Sequence, residues 1–567
     1  MTVQTTQTST EDVGEVAGAL DLMLTDAALG TARRFVPGLS SLRFLGALAR
    51  RPRRVASRAA GLLGEYVRIA AGSSTLTPSA RDRRFTDPAW TQNPLLRRVV
   101  QAYLATGTTV EGLVQDVPLE WRDAERIKFV ASNLVAAAAP SNNPLLSPVA
   151  WKAVIDTGGS SAVTGLRHFL GDMASSPRVP TMVPSDAFEV GKDLAVTRGA
   201  VVLRTPVFEL IQYRPQTETV CPTPLLMIPP TINKFYIMDI APHRSMIEYF
   251  VGQGLQVFVI SWRNPDARHS KWGLDTYGQA VIEALDTARK IAAVDSVHLL
   301  GVCSGGIIGA VTAAHLAASG RQDGLASFTL LVTLLDQSRA GTTGALVDEQ
   351  TARAAVATSR ARGYLDGRSL AEVFAWLRPG DLIWNYWVNN YLQGRTPPSF
   401  DILYWNADTT RMTAKLHRDF VAIAMGNSLT RRGGATLLGT EIDLGQVQVD
   451  SYVVAGSADH ICPWQNCYAS TQLLGGKSRF VLSTNGHIAA LVNPPTNKKS
   501  SYQVGEDNPA DPDDWAAAAT TVPGSWWPDY TRWLAERSGA QVPAPASLGG
   551  GQFRLLDDAP GSYVLDS

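Results

Sequence analysis

The stretch LLGVCSGGIIGA, residues 299–310, decides the fold of this 567-residue chain. It continues a short apolar run, VHLLG at 297–301, and leads into a run rich in Ile, Ala and Val that favours a helix. Cys303 stands between the two in the pattern Gly-x-Cys-x-Gly. Because glycines allow a tight turn, this order predicts a strand, a sharp turn and a helix, with the cysteine exposed at the helix N-terminus. There the helix dipole and free backbone N–H groups favour a thiolate.

Near-continuous apolar runs surround this turn, and helical stretches such as 277–293 separate some of them. The runs are AVVLRTPVFELIQY (200–213), PLLMIPP (224–230), QVFVISW (256–262), VHLLG (297–301), FTLLVTLLD (328–336), VDSYVVAG (449–456) and SRFVLST (478–484). Such runs are typical of a parallel sheet covered on both faces. Together with the glycine-flanked cysteine, they predict an α/β-hydrolase fold.

Texture changes along the chain predict its domains. We expect a disordered, basic extension over 1–70, a helical N-terminal domain over 71–200, a catalytic domain over 201–537 with a lid insertion at about 337–400, and a flexible tail over 538–567. Residues 27–64 are rich in arginine and contain no acidic residue. This segment either binds an anionic or lipid-coated surface or is a solvated helix face, and the sequence does not choose between them.

Composition restricts the function classes. The net charge is zero and the isoelectric point is near 7.1, which argues against a nucleic-acid partner. Four cysteines have neither disulfide nor zinc spacing, and the N-terminus does not resemble a signal peptide. We therefore expect a cytoplasmic protein.

An acid and a histidine follow later strands in the order that the fold requires. Asp459 comes just after the run at 449–456, and His487 just after the run at 478–484. With Cys303 they predict a catalytic triad of nucleophile, acid and base. His460 is a rival base, but it adjoins Asp459 and leaves no separate acid to orient it.

The other cysteines carry weaker signals. We interpret Cys462 and Cys467 as small packing residues near Trp464, and Cys221 precedes a strand without any motif. A cysteine nucleophile exchanges one thioester for another at nearly balanced energy, so Cys303 favours acyl transfer from a thioester over hydrolysis.

Longer motifs resemble those of the polyhydroxyalkanoate (PHA) synthases. They are RRFTDPAWTQNPLLRRVVQAYL (83–104), DTGGSSAVTGLRHFLGDM (156–173), PPTINKFYIMDIAPHRSMIEYFVGQGLQVFVISWRNPD (229–266), GVCSGG (301–306), YWNADTT (404–410), DHICPW (459–464) and GHIAALVNPP (486–495). FELIQYRPQT (208–217) and GSWWPDYTRWL (524–534) are most similar to the single-subunit class II branch.

The resemblance implies an acyltransferase that polymerises (R)-3-hydroxyacyl-CoA into a polyester and releases CoA, without a metal or bound cofactor. It implies that Cys303 carries the acyl group or growing chain and that His487 is the general base. Asp459 would orient His487 or assist deprotonation of the hydroxyl. It also implies association with the PHA granule surface, a homodimer and contacts with granule-coating proteins.

Three further positions follow from the resemblance. The backbone N–H groups of Ser304 and Ile232 would form the oxyanion hole, although Thr231 departs from the Gln or Cys expected beside it. Trp405 matches a family tryptophan tied to dimer contact or activity, and is equally compatible with a core position. The alternatives to a synthase are a thioesterase or depolymerase using the same triad, and an inactive granule-associated protein.

Overall fold

The computed structural model describes residues 39–567 except 81, 175–176, 339–348, 378, 460 and 567. The strands are β1 (Gly199–Arg204), β2 (Phe208–Tyr213), β3 (Thr219–Val220), β4 (Leu225–Ile228), β5 (Val257–Trp262), β6 (Val297–Val302), β7 (Leu325–Leu331), β8 (Tyr364–Leu365), β9 (Met412–Thr413), β10 (Thr436–Leu437), β11 (Thr440–Glu441), β12 (Ser451–Gly456), β13 (Ser478–Ser483), β14 (Ser501–Val504), β15 (Thr520–Pro523), β16 (Val542–Pro543) and β17 (Asp557–Asp558).

The helices are α1 (Leu39–Ala49), α2 (Pro52–Ala71), α3 (Ala89–Gln92), α4 (Pro94–Gln115), α5 (Trp121–Ala137), α6 (Pro148–Asp156), α7 (Ser160–Ala174), α8 (Met246–Gly252), α9 (Leu274–Ala292), α10 (Ser304–Ala318), α11 (Glu349–Arg362), α12 (Gly367–Leu377), α13 (Asp401–Ala407), α14 (Ala414–Gly426), α15 (Trp464–Tyr468), α16 (Ser470–Leu473), α17 (His487–Leu491), α18 (Pro512–Ala518) and α19 (Trp527–Ala535). The described residues divide into two compact units, one within 186–367 and 401–566 and one within 39–185 and 368–400.

An eleven-stranded sheet forms the first unit, in the order β15-β14-β13-β12-β7-β6-β4-β5-β2-β1-β17. The six central strands, β13 to β5 in that order, are parallel, and the flanking strands are antiparallel. Every residue of β4, β5, β6 and β12 is buried, as the continuous apolar runs predict.

The register of the sheet sets the geometry of its carboxyl edge. Ile228 pairs with Gly301, so the loop after β4 lies beside the turn after β6. Gly456 pairs with Ser483, so the loops after β12 and β13 are also neighbours. Parallel strands end at one edge, and the three predicted triad residues follow strands that end there.

Residues 39–70 differ from the expected disorder, because they form α1 and α2 within the second unit. Arg43 pairs with Asp123 at 2.9 Å, and Arg58 pairs with Asp116 at 2.8 Å. Ser40 donates a buried hydrogen bond to Asp123 at 2.6 Å. The acidic partners lie 58 to 83 residues away in sequence, which is why the local pattern reads as an unpaired basic tail. The part of the predicted extension over 1–38 lies outside the described residues.

The predicted lid insertion is divided between the units. In the first unit, α11 packs against α14, whereas residues 368–400 belong to the second unit. There Phe169 of α7 meets Trp387 and Tyr391 edge-on, with ring centroids 5.9 and 5.4 Å away. Gly165 permits this packing, because a Cβ atom there would lie 1.9 Å from the Tyr391 carbonyl oxygen. Whether any part of 337–400 acts as a lid stays a prediction.

The C-terminal tail is not loosely attached, contrary to the expectation for 538–567. Strand β17 pairs with β1 and forms an edge of the sheet. The buried carboxylate of Glu209 accepts hydrogen bonds from the backbone N–H groups of Ser562 and Tyr563 at 3.0 and 2.9 Å. The Arg263 guanidinium lies 4.2 Å from the centre of the Tyr563 ring. The hydrogen bonds of the buried Glu209 carboxylate thus hold the tail in place, although its Pro- and Gly-rich composition predicts flexibility.

Candidate active site

Cys303 occupies the sharp turn between β6 and α10. Its backbone has φ 50° and ψ −119°, a sparsely populated conformation for a residue with a side chain. The turn is held by the Cys303 N–H, which donates to the Leu331 carbonyl at 2.9 Å, and by the Gly306 N–H, which donates to the Cys303 carbonyl at 2.9 Å. The structure thus contains the strand, sharp turn and helix that the sequence predicts, and this turn is called the elbow below.

The glycines around Cys303 are required by close contacts. A Cβ atom at Gly305 would lie 2.4 Å from the Pro229 carbonyl oxygen, and one at Gly306 would lie 2.0 Å from Oγ1 of Thr333. Both distances are well inside van der Waals contact. The turn therefore fits between the β4 loop and β7 only when these positions lack side chains.

Asp459 and His487 meet across the neighbouring loops. Oδ2 of Asp459 accepts a hydrogen bond from Nδ1 of His487 at 2.7 Å. Its Oδ1 accepts from the backbone N–H groups of Ile461 and Cys462, both at 2.8 Å. Both carboxylate oxygens are therefore engaged, and Oδ2 fixes the orientation of the imidazole.

His487 also meets Cys303 and a second cysteine. The Sγ atoms of Cys303 and Cys462 and a ring nitrogen of His487 all lie within 4.8 Å of one another. The structure thus brings together Cys303, Asp459 and His487, as the sequence analysis expected. His460, the rival base, lies outside the described residues.

Cys462 is the residue at the site that sequence reasoning missed. It is buried and its sulfur lies within 4.8 Å of the Cys303 sulfur, whereas the sequence pattern indicates a packing residue. The available signal in the sequence is its position three residues after Asp459. The short turn around that carboxylate brings Cys462 to the carboxyl edge of the sheet, where Cys303 lies; this edge is called the catalytic edge below. Cys467 also lies near this loop, and its Sγ donates to the Cys462 carbonyl at 3.7 Å.

The electrostatics of the site favour a thiolate–imidazolium pair. Hydrogen bonding to Cys462, and then to His487, lowers the pKa of the Cys303 thiol in spite of its burial. Burial by itself would lower the pKa of His487, but the Asp459 carboxylate outweighs it and the net shift is upward. The two pKa shifts have opposite directions, and both favour transfer of the proton from the Cys303 sulfur to the His487 imidazole.

The loop after β4 lies against the start of α10. The Thr231 N–H donates to Oγ of Ser304 at 3.0 Å, which explains how a threonine is accommodated at this position. Hydrogen bonding from the Ser304 N–H is also among the causes that lower the pKa of the Cys303 thiol. Ile232 is buried in the same loop, and its carbonyl accepts from the Thr410 N–H at 3.3 Å. The oxyanion role of the Ser304 and Ile232 amides stays a prediction.

Trp405 lies in α13 and contacts the loop that follows β4. Its indole N–H donates to the Lys234 carbonyl at 2.7 Å, and the side chain is buried. Asp408 pairs with Lys234 at 2.7 Å and accepts from the Tyr236 hydroxyl at 2.8 Å. The sequence leaves dimer contact, activity and a core position open for Trp405. The structure shows its side chain buried within its own chain.

Comparison with known proteins decides the family. Residues 81–250 match the family described as Poly-beta-hydroxybutyrate polymerase (PhaC) N-terminus, and residues 224–494 match the alpha/beta hydrolase fold. Poly(3-hydroxyalkanoate) polymerases 2 and 1 of Ectopseudomonas oleovorans are 46% and 45% identical to this chain, over 91% and 93% of its length and 92% and 94% of theirs. The poly(3-hydroxyalkanoate) polymerase subunit PhaC of Cupriavidus necator is 40% identical over 88% of this chain and 85% of its own.

This chain belongs to the poly(3-hydroxyalkanoate) polymerase family. The resemblance to the PHA synthases, the α/β-hydrolase fold and the assignment as an acyltransferase are thereby confirmed. The cysteine elbow and its histidine therefore belong to a group-transfer enzyme.

The donor set of this polymerase also has the spacing of a soft-metal site, since two sulfurs and an imidazole lie within 4.8 Å of one another. We assign these atoms to proton transfer, because Asp459 orients the imidazole and one of its ring nitrogens lies beside the Cys303 sulfur. That the enzyme works without a metal or cofactor stays a prediction.

Among the residues that the structure describes, none of the helices combines the length and the apolar character needed to cross a bilayer.

Proposed function

We propose that this polymerase takes (R)-3-hydroxyacyl groups from their CoA thioesters, holds them on Cys303 and joins them into polyhydroxyalkanoate with release of CoA. The observation that carries the proposal is a buried cysteine whose sulfur lies within 4.8 Å of a ring nitrogen of His487, a histidine that the Asp459 carboxylate orients. A thiolate attacking a thioester keeps the acyl group at high energy, so it can pass to an alcohol rather than be lost to water.

In the first step the Cys303 sulfur attacks the thioester carbonyl carbon. The carbon–sulfur bond to CoA breaks, and the CoA sulfur leaves with a proton from His487. Nδ1 of His487 is engaged by Asp459, so Nε2 is the nitrogen that transfers this proton. The N–H groups of Ser304, at the start of α10, and of Ile232, in the loop after β4, stabilise the oxyanion that forms.

In the second step a 3-hydroxyl group attacks the Cys303 thioester. His487, now neutral, takes the hydroxyl proton, an ester bond forms and Cys303 leaves as a thiolate. Asp459 stabilises the imidazolium that results, which restores the starting pair. A direct contact of Asp459 with the substrate hydroxyl is the less favoured role, because both of its oxygens already accept hydrogen bonds.

The proposal also covers location and partners. We infer a cytoplasmic enzyme that stays on the surface of its polyester granule, acts as a homodimer, meets granule-coating proteins and binds no nucleic acid. Its balanced charge supports the last point. Sedimentation of the purified enzyme tests the dimer, and fractionation of granules from a producing cell tests the location.

Purified enzyme given (R)-3-hydroxyacyl-CoA tests the function. We expect free CoA and insoluble polyester in matching amounts, and neither from Cys303→Ala. The matched control is Cys221→Ala, which removes a buried thiol remote from the catalytic edge and leaves both products unchanged. Free hydroxy acid without polymer would instead establish a thioesterase or depolymerase, and absence of CoA release would establish an inactive granule-associated protein.

A further inference from the structure

Cys462 is a buried thiol at the catalytic edge to which the proposed reaction gives no task. It lies in the loop that follows Asp459, and only 2% of its surface is exposed. Its sulfur lies within 4.8 Å of both the Cys303 sulfur and a ring nitrogen of His487. The two sulfurs are therefore close neighbours in a buried site.

The position of Cys462 is fixed by the carboxylate that also fixes the base. Its backbone N–H donates to Oδ1 of Asp459 at 2.8 Å, while Oδ2 accepts from His487 at 2.7 Å. Its carbonyl accepts from the Cys467 thiol at 3.7 Å. Asp459 therefore aligns two groups on Cys303, the imidazole and the second thiol.

A buried thiolate needs hydrogen-bond donors, because water that would solvate it is excluded. Cys303 is 6% exposed, and the Cys462 sulfur and a ring nitrogen of His487 both lie within 4.8 Å of its sulfur. Burial raises the pKa of the Cys462 thiol, and the adjoining Cys303 sulfur raises it further, so Cys462 keeps its proton. Of the two sulfurs, Cys303 is thus the acceptor and Cys462 the donor.

We infer that Cys462 is a positioning residue that donates its S–H to the Cys303 thiolate and stabilises that anion in the free enzyme and as the leaving group. The inference rests on the proposed role of Cys303 as nucleophile. When Cys303 is acylated its charge disappears and the donor has no anion to stabilise; when the ester forms and the thiolate departs, the hydrogen bond returns. Cys462 therefore favours release of the chain from sulfur as well as formation of the nucleophile.

The test measures the thiolate itself and requires no acyl-CoA. Cys303 is alkylated with iodoacetamide across a pH series, and peptide mass spectrometry confirms the residue modified. In Cys462→Ala and Cys462→Val, which lack a donor, we expect the midpoint of the alkylation profile to rise by about one pH unit or more. Cys462→Ser retains a donor and restores the midpoint most of the way to that of the unaltered enzyme.

Cys467→Ala is the matched control, since it removes a buried thiol from the same region that bonds to the Cys462 carbonyl rather than to Cys303. Its profile should stay unchanged. An unchanged midpoint in both donor-free variants overturns the inference, as does a serine variant that shifts as far as alanine. Because the assay uses no substrate, it reads out independently of whether the enzyme polymerises, so failure of the proposed function and failure of this inference are separate results.

Discussion

Nδ1 of His487 donates to Oδ2 of Asp459 at 2.7 Å, and this bond joins two loops that are 28 residues apart in sequence. The same carboxylate accepts two backbone N–H groups through its other oxygen. The proposed base, His487, is thus held by a carboxylate that backbone hydrogen bonds fix in place.

Asp459→Asn should lower kcat by roughly 10²–10⁴-fold while the KM for acyl-CoA changes little, because the amide no longer stabilises the imidazolium or fixes its tautomer. Steady-state CoA release measures the effect. Asp450→Asn, which alters only a partly exposed pair with Arg537, is the control and should retain activity. A less than threefold loss in Asp459→Asn would remove the carboxylate from the mechanism.

Gly305→Ala should destabilise the first unit and displace Cys303, because the added Cβ would lie 2.4 Å from the Pro229 carbonyl oxygen. We expect a loss of about 3 kcal/mol in the free energy of unfolding, measured by denaturant titration. Gly171→Ala lies in α7 with nothing within 4 Å of the added atom, and it should be neutral or slightly stabilising. Equal stability of the two variants would refute the packing argument for the elbow.

Glu209→Gln should release the C-terminal tail. Its carboxylate accepts from the backbone of Ser562 and Tyr563 and pairs with Arg204 at 2.6 Å, and a neutral amide cannot satisfy these donors together. We expect a loss of about 3 kcal/mol and rapid proteolytic removal of residues near 557–567, followed by mass spectrometry. Glu218→Gln, at an exposed position, should leave the tail protected. A protected tail in Glu209→Gln would mean that strand pairing alone holds it.

His298 should make the enzyme sensitive to acid. It is buried between the hydroxyls of Ser327 and Ser538, at 2.7 and 3.0 Å. Burial, together with the positive charge of Arg537, lowers the pKa of His298 to about 4 from its usual 6.5. The unfolded chain therefore takes up this proton first, and stability is fully present above pH 6.5 and is lost as the pH falls toward 4.

The contribution is roughly 3 kcal/mol, measured as the pH dependence of the free energy of unfolding. His298→Gln should lack that part of the acid loss, whereas the exposed His243→Asn should show the same dependence as the unaltered protein. If His298→Gln and the unaltered enzyme lose stability in parallel between pH 6.5 and 4, another group is responsible.

The sheet and the triad could be predicted from the sequence because they depend on local patterns. Fully buried parallel strands require continuous apolar runs, and the carboxyl ends of such strands lie at one edge. Cys303, Asp459 and His487 each follow one of these runs closely. Their meeting could therefore be inferred without knowing any side-chain contact.

What could not be predicted depends on partners that are distant in sequence. From the sequence, Arg58 belongs to a basic tail, but in the structure it pairs with Asp116. The C-terminal residues have the composition of a flexible segment, but their backbone is hydrogen-bonded to Glu209. The sequence indicates a packing residue at Cys462 because no periodicity marks the turn that brings it beside Cys303.

The Arg-rich segment 27–64 needs a different test of surface binding than a deletion. Deleting residues 1–70 would also remove α1 and α2, so substitutions of single surface arginines are the better design.

The most direct test of the central claim is to trap the acyl group on the enzyme. An acyl-CoA that lacks the 3-hydroxyl group can acylate the nucleophile but cannot extend a chain, so the thioester should accumulate. After acid quenching and peptic digestion, we predict the acyl mass on the peptide that contains Cys303, removable by hydroxylamine and absent from Cys303→Ala. Polymer formation from the natural substrate by an enzyme whose acyl group is found on another residue, or nowhere, would contradict the account.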